Sequence, residues 1–485
     1  MKKAIFPILF ILLTLNTVYG QNNLSIKANE MGALFIEGIN NPSIQRKKEI
    51  VPSVFYEKLI AEKGIDALVN LFNQLQTSYF PLDYHHADIN QFNKPTGIVY
   101  VMHIYARKKG DVMWQDFQLY VDNPQTCKIK SLAFIAEVAE PINLPNGTIE
   151  QDETINWLNN YISKLQSEND LSGSILIAKG DKVLYERHFG YADLEKKILL
   201  DNNSLFGIAS GGKMFTALSI AKLVEEKKIN YNDAITKYID GFSDKAKADK
   251  ITIHHLLSHT SGVEHYWWGQ KSDAFSKANS IDDHFKMVLE VGLKNDAGKE
   301  YEYNNSNYIL LGAIVEKVSG IDFFTFVKEN IFEKANMTNS GYFYANYPNS
   351  VTPLTRNEKG NKWIKLERGT GRGSSAGGVY SNAHDMLNFS EALRTNHIVS
   401  FETFQNMITI QNKGFDVTED YGYGFILQTF ANEKTYGHGG TAKGVNFEFR
   451  YFPIQEITLI VFSNQDNGAY DDLKRNTIKL ISGER

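Results

Sequence analysis

The chain has a single cysteine, Cys127, in 485 residues, so no internal disulfide can hold it together. That cysteine also lies far from the N-terminus, which excludes a lipid-acceptor thiol at the end of the leader described below. Beyond residue 20 no apolar run reaches the ~20 residues that a helix needs to cross a bilayer, so no stable membrane insertion is expected. Positive charge is not in excess: 51 Lys and Arg stand against 56 Asp and Glu, a net of 51 − 56 = −5, with no basic stripe to follow phosphates. These features argue against nucleic acid as a partner. There is no His-Glu-x-x-His, and His254, His255, His259 and His265 lack the cysteine or carboxylate spacing that completes a metal site. Loop-anchoring hydrogen bonds explain His259-Thr260-Ser261-Gly262 better, and neither a metal nor another cofactor is expected. Repeats and low-complexity tracts are missing as well. What is present is the composition of a packed globular protein, 42% hydrophobic and 22% charged, on a chain long enough for two domains.

Residues 1–20 join Lys2 and Lys3 to an apolar run from Ile5 to Leu15 and end in Val18-Tyr19-Gly20, the pattern of a removed export signal. The expected location is periplasmic or secreted. Residues 21–148 are predicted to form a small α+β domain, with a helix over Phe55–Leu75 and strands at Gly97–Ala106, Met113–Val121 and Ser131–Val138. A linker, Glu140–Thr148, carries Pro and Asn-Gly punctuation, and the second domain is placed at 149–485. It opens with a helix over Thr154–Leu165 and a hairpin turning at Gly180-Asp181. It closes with strands at Phe447–Tyr451 and Ile457–Asn464 and a helix over Tyr470–Ile481. A long, mainly helical middle separates these ends. The expected architecture is α+β: one antiparallel sheet built from both ends of the domain and covered by helices.

Within that middle, Ser210-Gly-Gly-Lys213 puts a hydroxyl and an amine three residues apart at the start of a helix, on one helical face. The helix N-terminus adds free N–H groups and partial positive charge. Ser219-Ile-Ala-Lys222 has the same spacing, but Ser219 sits in the apolar run Phe215–Val224, where its hydroxyl is expected to bond the preceding turn. Gly211 and Gly212 are expected to leave space for a substrate. Tyr266, Trp267 and Trp268 suit either a cleft wall or a small core.

Several phrases then follow in a recognisable order: Ser210-Gly-Gly-Lys213-Met-Phe-Thr-Ala, Ile253-His-His-Leu-Leu-Ser-His259-Thr-Ser-Gly262, Tyr303-Asn-Asn305-Ser-Asn-Tyr, Ala376-Gly-Gly-Val-Tyr-Ser-Asn-Ala-His-Asp385 and Tyr436-Gly-His438-Gly-Gly440. With them, residues from about 150 to 485 resemble the serine β-lactamase and penicillin-binding-protein superfamily, particularly its class C and esterase-like branch. The resemblance implies a serine hydrolase with Ser210 as nucleophile, Lys213 and Tyr303 jointly as base, and Asn305 orienting the substrate amide and Lys213. Tyr-x-Asn recurs at Tyr344, Tyr347 and Tyr380, and spacing cannot choose among the four. The polar loop just before an apolar helix, Tyr308–Val318, is where the family carries this motif, which favours Tyr303. The family's Lys-Thr-Gly strand is represented by His438-Gly439-Gly440-Thr441, a departure from the pattern. A histidine of ordinary pKa, ~6.5, is mostly neutral at pH 7 and attracts a carboxylate weakly. Gly439 and Gly440 are expected to let a substrate backbone lie against the strand.

The implied chemistry is two-step acyl transfer. The backbone N–H groups of Ser210 and Thr441 would hold the oxyanion. Bringing a tyrosine from a pKa of ~10 to ~7 needs roughly 4 kcal/mol, much of which one nearby lysine cation can supply. The class A Ser-Asp-Asn motif with its deacylating glutamate is absent at its expected place, so Tyr303 would activate the deacylating water. The expected function is an exported hydrolase of an ester, small amide or peptide bond, with a small-molecule or peptide substrate. The alternatives are a β-lactamase or D,D-peptidase, disfavoured by His438, and a catalytically silent receptor for cell-wall fragments. The N-terminal domain is similar to the small cone-shaped α+β domains related to nuclear transport factor 2.

Overall fold

The computed structural model describes residues 26–483 apart from 95–96, 109–113, 139–143, 146, 267–276, 343–346, 358–361, 367–370, 413–419 and 467. The export signal, much of the linker, Trp267, Trp268 and Tyr344 therefore lie outside the described residues. The chain divides into two compact units, Met1–Asn143 and Leu144–Glu484.

In the first unit, helices α1 (26–40), α2 (Ile44–Val54), α3 (Glu57–Lys63) and α4 (Ile65–Tyr79) precede a four-stranded antiparallel meander. Its strands are β1 (Leu82–Lys94), β2 (Gly97–Lys108), β3 (Trp114–Val121) and β4 (Ile129–Val138). The single helix expected over Phe55–Leu75 is broken at Gly64, whose φ of +81° ends α3 and starts α4. Period-2 apolar residues turn one sheet face inward, so that Met102, Ile104, Phe117 and Leu119 close a core with Phe35, Phe55 and Phe72 from the helices.

The second unit begins with α5 (Asp152–Asn169) and the hairpin of β5 (Gly173–Lys179) and β6 (Lys182–Phe189), which turns at Gly180 with φ +59°. Near the far end of the chain come β7 (Asp420–Tyr421), β8 (Ile426–Phe430), β9 (Glu433–Ala442), β10 (Val445–Phe452) and β11 (Ile457–Ser463). They join the hairpin in one seven-stranded sheet ordered β7-β8-β9-β10-β11-β5-β6. Both ends of the unit thus share a sheet, and β11 pairs with β5 from Ile457↔Lys179 to Ser463↔Gly173. Alternation sets the layers. Leu176, Phe447, Phe449, Ile460 and Phe462 face the helical middle, while Ile175, Leu459 and Val461, also fully buried, face the other way. Helix α9 (Gly468–Ser482) packs on β11 and on α5. Helices α6 (Lys213–Glu225), α7 (Asn305–Ser319) and α8 (Ala383–Arg394) belong to the middle. α7 packs on α6, and its Tyr308, Leu311 and Val315 belong to the apolar core that both helices share. Asn304 caps the start of α7 and Gly320, at φ +78°, ends it.

Candidate active site

Three separate segments converge where β9 meets α6. Phe206-Gly207 pairs antiparallel with Tyr380-Ser381, and the Ile208 amide donates to the Val379 carbonyl at 2.9 Å, which draws residues 374–379 alongside the turn Ala209–Gly212. Ser210 lies in that 3-10 turn, half-buried, directly ahead of α6. Its neighbour Ala209 has φ +42°, a left-handed conformation that is strained for a residue with a Cβ. The glycines here serve close backbone packing. A Cβ on Gly440 would stand 2.1 Å from the Ile208 carbonyl oxygen and 3.0 Å from the Ser210 nitrogen, so only glycine lets β9 touch the serine's turn. A Cβ on Gly211 would meet the Phe447 ring at 2.5 Å, and one on Gly212 would meet Gly377 Cα at 3.2 Å. Gly211 and Gly212 are buried, so the expectation that they leave room for a substrate gives way to a packing role.

Lys213 is fully buried, and its ammonium nitrogen has three partners: Ser210 Oγ at 3.0 Å, Asn305 Oδ1 at 2.6 Å and the Ala376 carbonyl at 2.9 Å. None is a carboxylate. Loss of water without a countercharge lowers its pKa to about 7. Relative to its ordinary value of 10.5, that corresponds to on the order of 5 kcal/mol of penalty on the charged form. Two of the three partners can only accept. A neutral amine therefore spends both N–H bonds on Asn305 and Ala376 and turns its lone pair to the Ser210 hydroxyl. This is the geometry of a base beside a nucleophile.

Tyr303 comes from the loop just before α7, and Lys213 Nζ sits 4.9 Å from the centre of its half-buried ring. Of its rivals, Tyr380 belongs to the short pair with Gly207, Tyr347 is 43% exposed on the surface, and Tyr344 lies outside the described residues. Asn305, first residue of α7, meets Lys213 as described. Ser219 donates to the Phe215 carbonyl at 2.8 Å, inside the core. Tyr266 is buried in that same core.

The β9 residues divide. Strand β8 pairs with β9 only as far as Ile426↔Gly437, so among the described residues 438–442 have a strand partner on the β10 side alone. Thr441 is exposed on that free length and Gly439 is partly so. His438 is 1% exposed and has no ring nitrogen left to offer: Nδ1 donates to the Gly439 carbonyl and Nε2 accepts from the Tyr421 hydroxyl at 3.2 Å. Burial first, and then the Lys213 charge, lower its pKa to about 3, so it is neutral. The expectation that its side chain binds substrate is at odds with this burial.

Two contributors carried no signal that pattern reading could use. Ala376 acts through a carbonyl that any residue possesses; only the small-residue phrase Ala376-Gly377-Gly378 hinted at it. Tyr421 was not singled out, yet it is fully buried and joins His438 to the Tyr308 hydroxyl, 3.3 Å away. No group of three or more His, Cys, Asp or Glu among the described residues could hold a metal ion.

An α/β/α sandwich carrying a buried lysine on a serine, with a tyrosine alongside, defines the fold class of serine β-lactamases and penicillin-binding proteins. The family model described as Beta-lactamase matches residues 158–483, and the chain belongs to that family of serine hydrolases. A penicillin-binding protein of Bacillus subtilis (strain 168) is 29% identical over 331 residues, covering 64% of this chain and 71% of that one. The crystal structure of a penicillin-binding protein from Bacillus halodurans is 30% identical with a TM-score of 0.60, covering 66% of this chain and 98% of that chain. A D-amino acid amidase from Ochrobactrum anthropi shares the fold at 20% identity, with a TM-score of 0.58 over 68% of this chain and 99% of its own. No helix among the described residues is long and apolar enough to cross a membrane.

Proposed function

We propose that this protein is an exported serine hydrolase that forms an acyl-enzyme at Ser210 and releases it to water, acting on an ester, small amide or peptide bond. The observation that carries this reading is the hydrogen-bond inventory of Lys213, whose two obligate acceptors leave the neutral amine's lone pair for Ser210. Lys213 takes the hydroxyl proton as Oγ bonds to the carbonyl carbon; the bond to the leaving group then breaks, and that group departs with a proton. The amide N–H groups of Ser210 and Thr441 hold the oxyanion. Tyr303, beside the lysine, serves proton transfer to the leaving group and activates the deacylating water. Export rests on the leader-like residues 1–20.

A penicillin-directed reading draws support from the names of the relatives near 30% identity. It is disfavoured by His438: a neutral, buried imidazole stands where the family's lysine would attract a substrate carboxylate. A panel of p-nitrophenyl esters, D-amino acid amides and a chromogenic cephalosporin tests the choice. Turnover of esters or amides with slow or no lactam hydrolysis is expected. Rapid lactam hydrolysis would reverse the ranking, and no turnover with no fluorophosphonate labelling would favour a silent receptor.

A further inference from the structure

Tyr303 occupies an irregular loop, yet proton transfer demands that its hydroxyl stay put, because misplacement by about an ångström can lower a rate ~10²-fold. The residue that grips this loop is His259, 44 positions earlier in the chain. Its carbonyl accepts from the Glu302 amide at 2.8 Å and its Nδ1 accepts from the Asn304 amide at 3.1 Å, so the backbone is held on both sides of Tyr303. Asn307 Nδ2 is a further partner of Nδ1 at 3.2 Å. The imidazole also lies against the Tyr303 ring, centroids 4.4 Å apart and planes inclined by 36°, with Tyr421 at 4.8 Å and Tyr308 at 5.2 Å on other sides.

The side chain is 1% exposed, and burial pushes its pKa well below the usual imidazole value, so it is neutral. With Nδ1 accepting, the ring proton sits on Nε2, which is buried without a hydrogen-bond acceptor among the described residues, on an imidazole flanked by tyrosine rings. A buried unpaired donor costs about 1–3 kcal/mol. His259 also holds a left-handed φ of +58°. A residue kept only for packing has little reason to carry both burdens.

We infer that His259 is a positioning residue for the hydrolytic reaction: it acts through Tyr303, clamping the loop on both flanks and backing the phenol ring. This deepens the reading of Tyr303 given under Proposed function and rests on it.

The test is a double-mutant cycle on p-nitrophenyl acetate hydrolysis by the full chain, using His259→Gly, Tyr303→Phe and the pair. Glycine accepts the left-handed φ without strain, so this variant removes the ring alone. A loss of roughly 10- to 100-fold in kcat with little change in KM is expected for His259→Gly. The pair should be no slower than Tyr303→Phe, because His259 has nothing to position once the phenol is gone. His259→Asn restores an acceptor near Nδ1 and tolerates φ > 0, and should recover most of the lost kcat. If the glycine variant does not fold, His259→Phe fills the space without the acceptor and takes its place in the cycle. Multiplicative losses in the pair, or an asparagine variant no better than glycine, would overturn the inference. A silent His259→Gly beside a damaging Tyr303→Phe defeats this inference alone, whereas a silent Tyr303→Phe defeats the underlying reading of Tyr303.

Discussion

Among the described residues each unit buries one lysine completely, and the two lysines have different partners. Lys47 on α2 donates to Asn73 Oδ1 at 2.7 Å and Gln76 Oε1 at 2.9 Å. Lys213 on α6 likewise donates to an amide oxygen and to a carbonyl. Neither has a carboxylate among these partners, and loss of water lowers the pKa of both. The difference is the third partner of Lys213, a half-buried hydroxyl in a strained turn. Burial makes an amine willing to be neutral; only a neighbour with a proton to give makes it a base. Lys47, between two amide oxygens, ties α2 to α4.

That contrast can be broken most sharply at the serine. Ser210→Ala should reduce hydrolysis of activated esters by ~10⁴-fold or more while leaving the melting temperature nearly unchanged, since triad-type nucleophiles are lost all at once. Next comes the base: Lys213→Met should lower kcat by ~10³-fold or more. The folded pKa of Lys213, about 7, lies below its unfolded value, so the wild type should gain stability as pH rises from about 7 toward 10. Lys213→Met should flatten that rise in thermal scans. Tyr303→Phe should cost ~10²-fold or more in kcat, against a threefold change at most for Tyr380→Phe, as read by steady-state kinetics. The smallest effect on activity is expected for Lys47→Met. It should leave ester hydrolysis unchanged and lower stability by about 1 kcal/mol in denaturant melts, because two half-buried amide oxygens lose their donor.

How far pattern carries can be read from the same residues. The pairing of Ser210 with Lys213 was legible because three-residue spacing on a helix is a local rule. The Gly180 hairpin and the shared sheet of first and last segments were legible because turn chemistry and alternation are local too. Tyr303 needed the neighbouring phrases, since Tyr-x-Asn has no physics that separates one loop from another. The break at Gly64 was hidden by an apolar period running through it. Strand β1 was hidden by its polar text, Asp83-Tyr-His-His-Ala-Asp88, which shows little alternation. Glycines 211 and 212 looked like space for a substrate and instead pack against the Phe447 ring and the Gly377 backbone, a tertiary property that no spacing reveals. His438 looked like a substrate ligand because its register is right; its side chain is buried and bonded to Tyr421, which comes from a separate strand.

The central claim is that a buried Lys213, its pKa lowered to about 7, removes the proton of Ser210. The most direct measurement is the rate of fluorophosphonate attachment across pH, with peptide mapping of the adduct by mass spectrometry. A single adduct on Ser210, forming at a rate that climbs through a midpoint near about 7 and is lost in Lys213→Met, is the expected result. An adduct elsewhere, no adduct at all, or a Ser210 rate indifferent to pH and to Lys213 would contradict it.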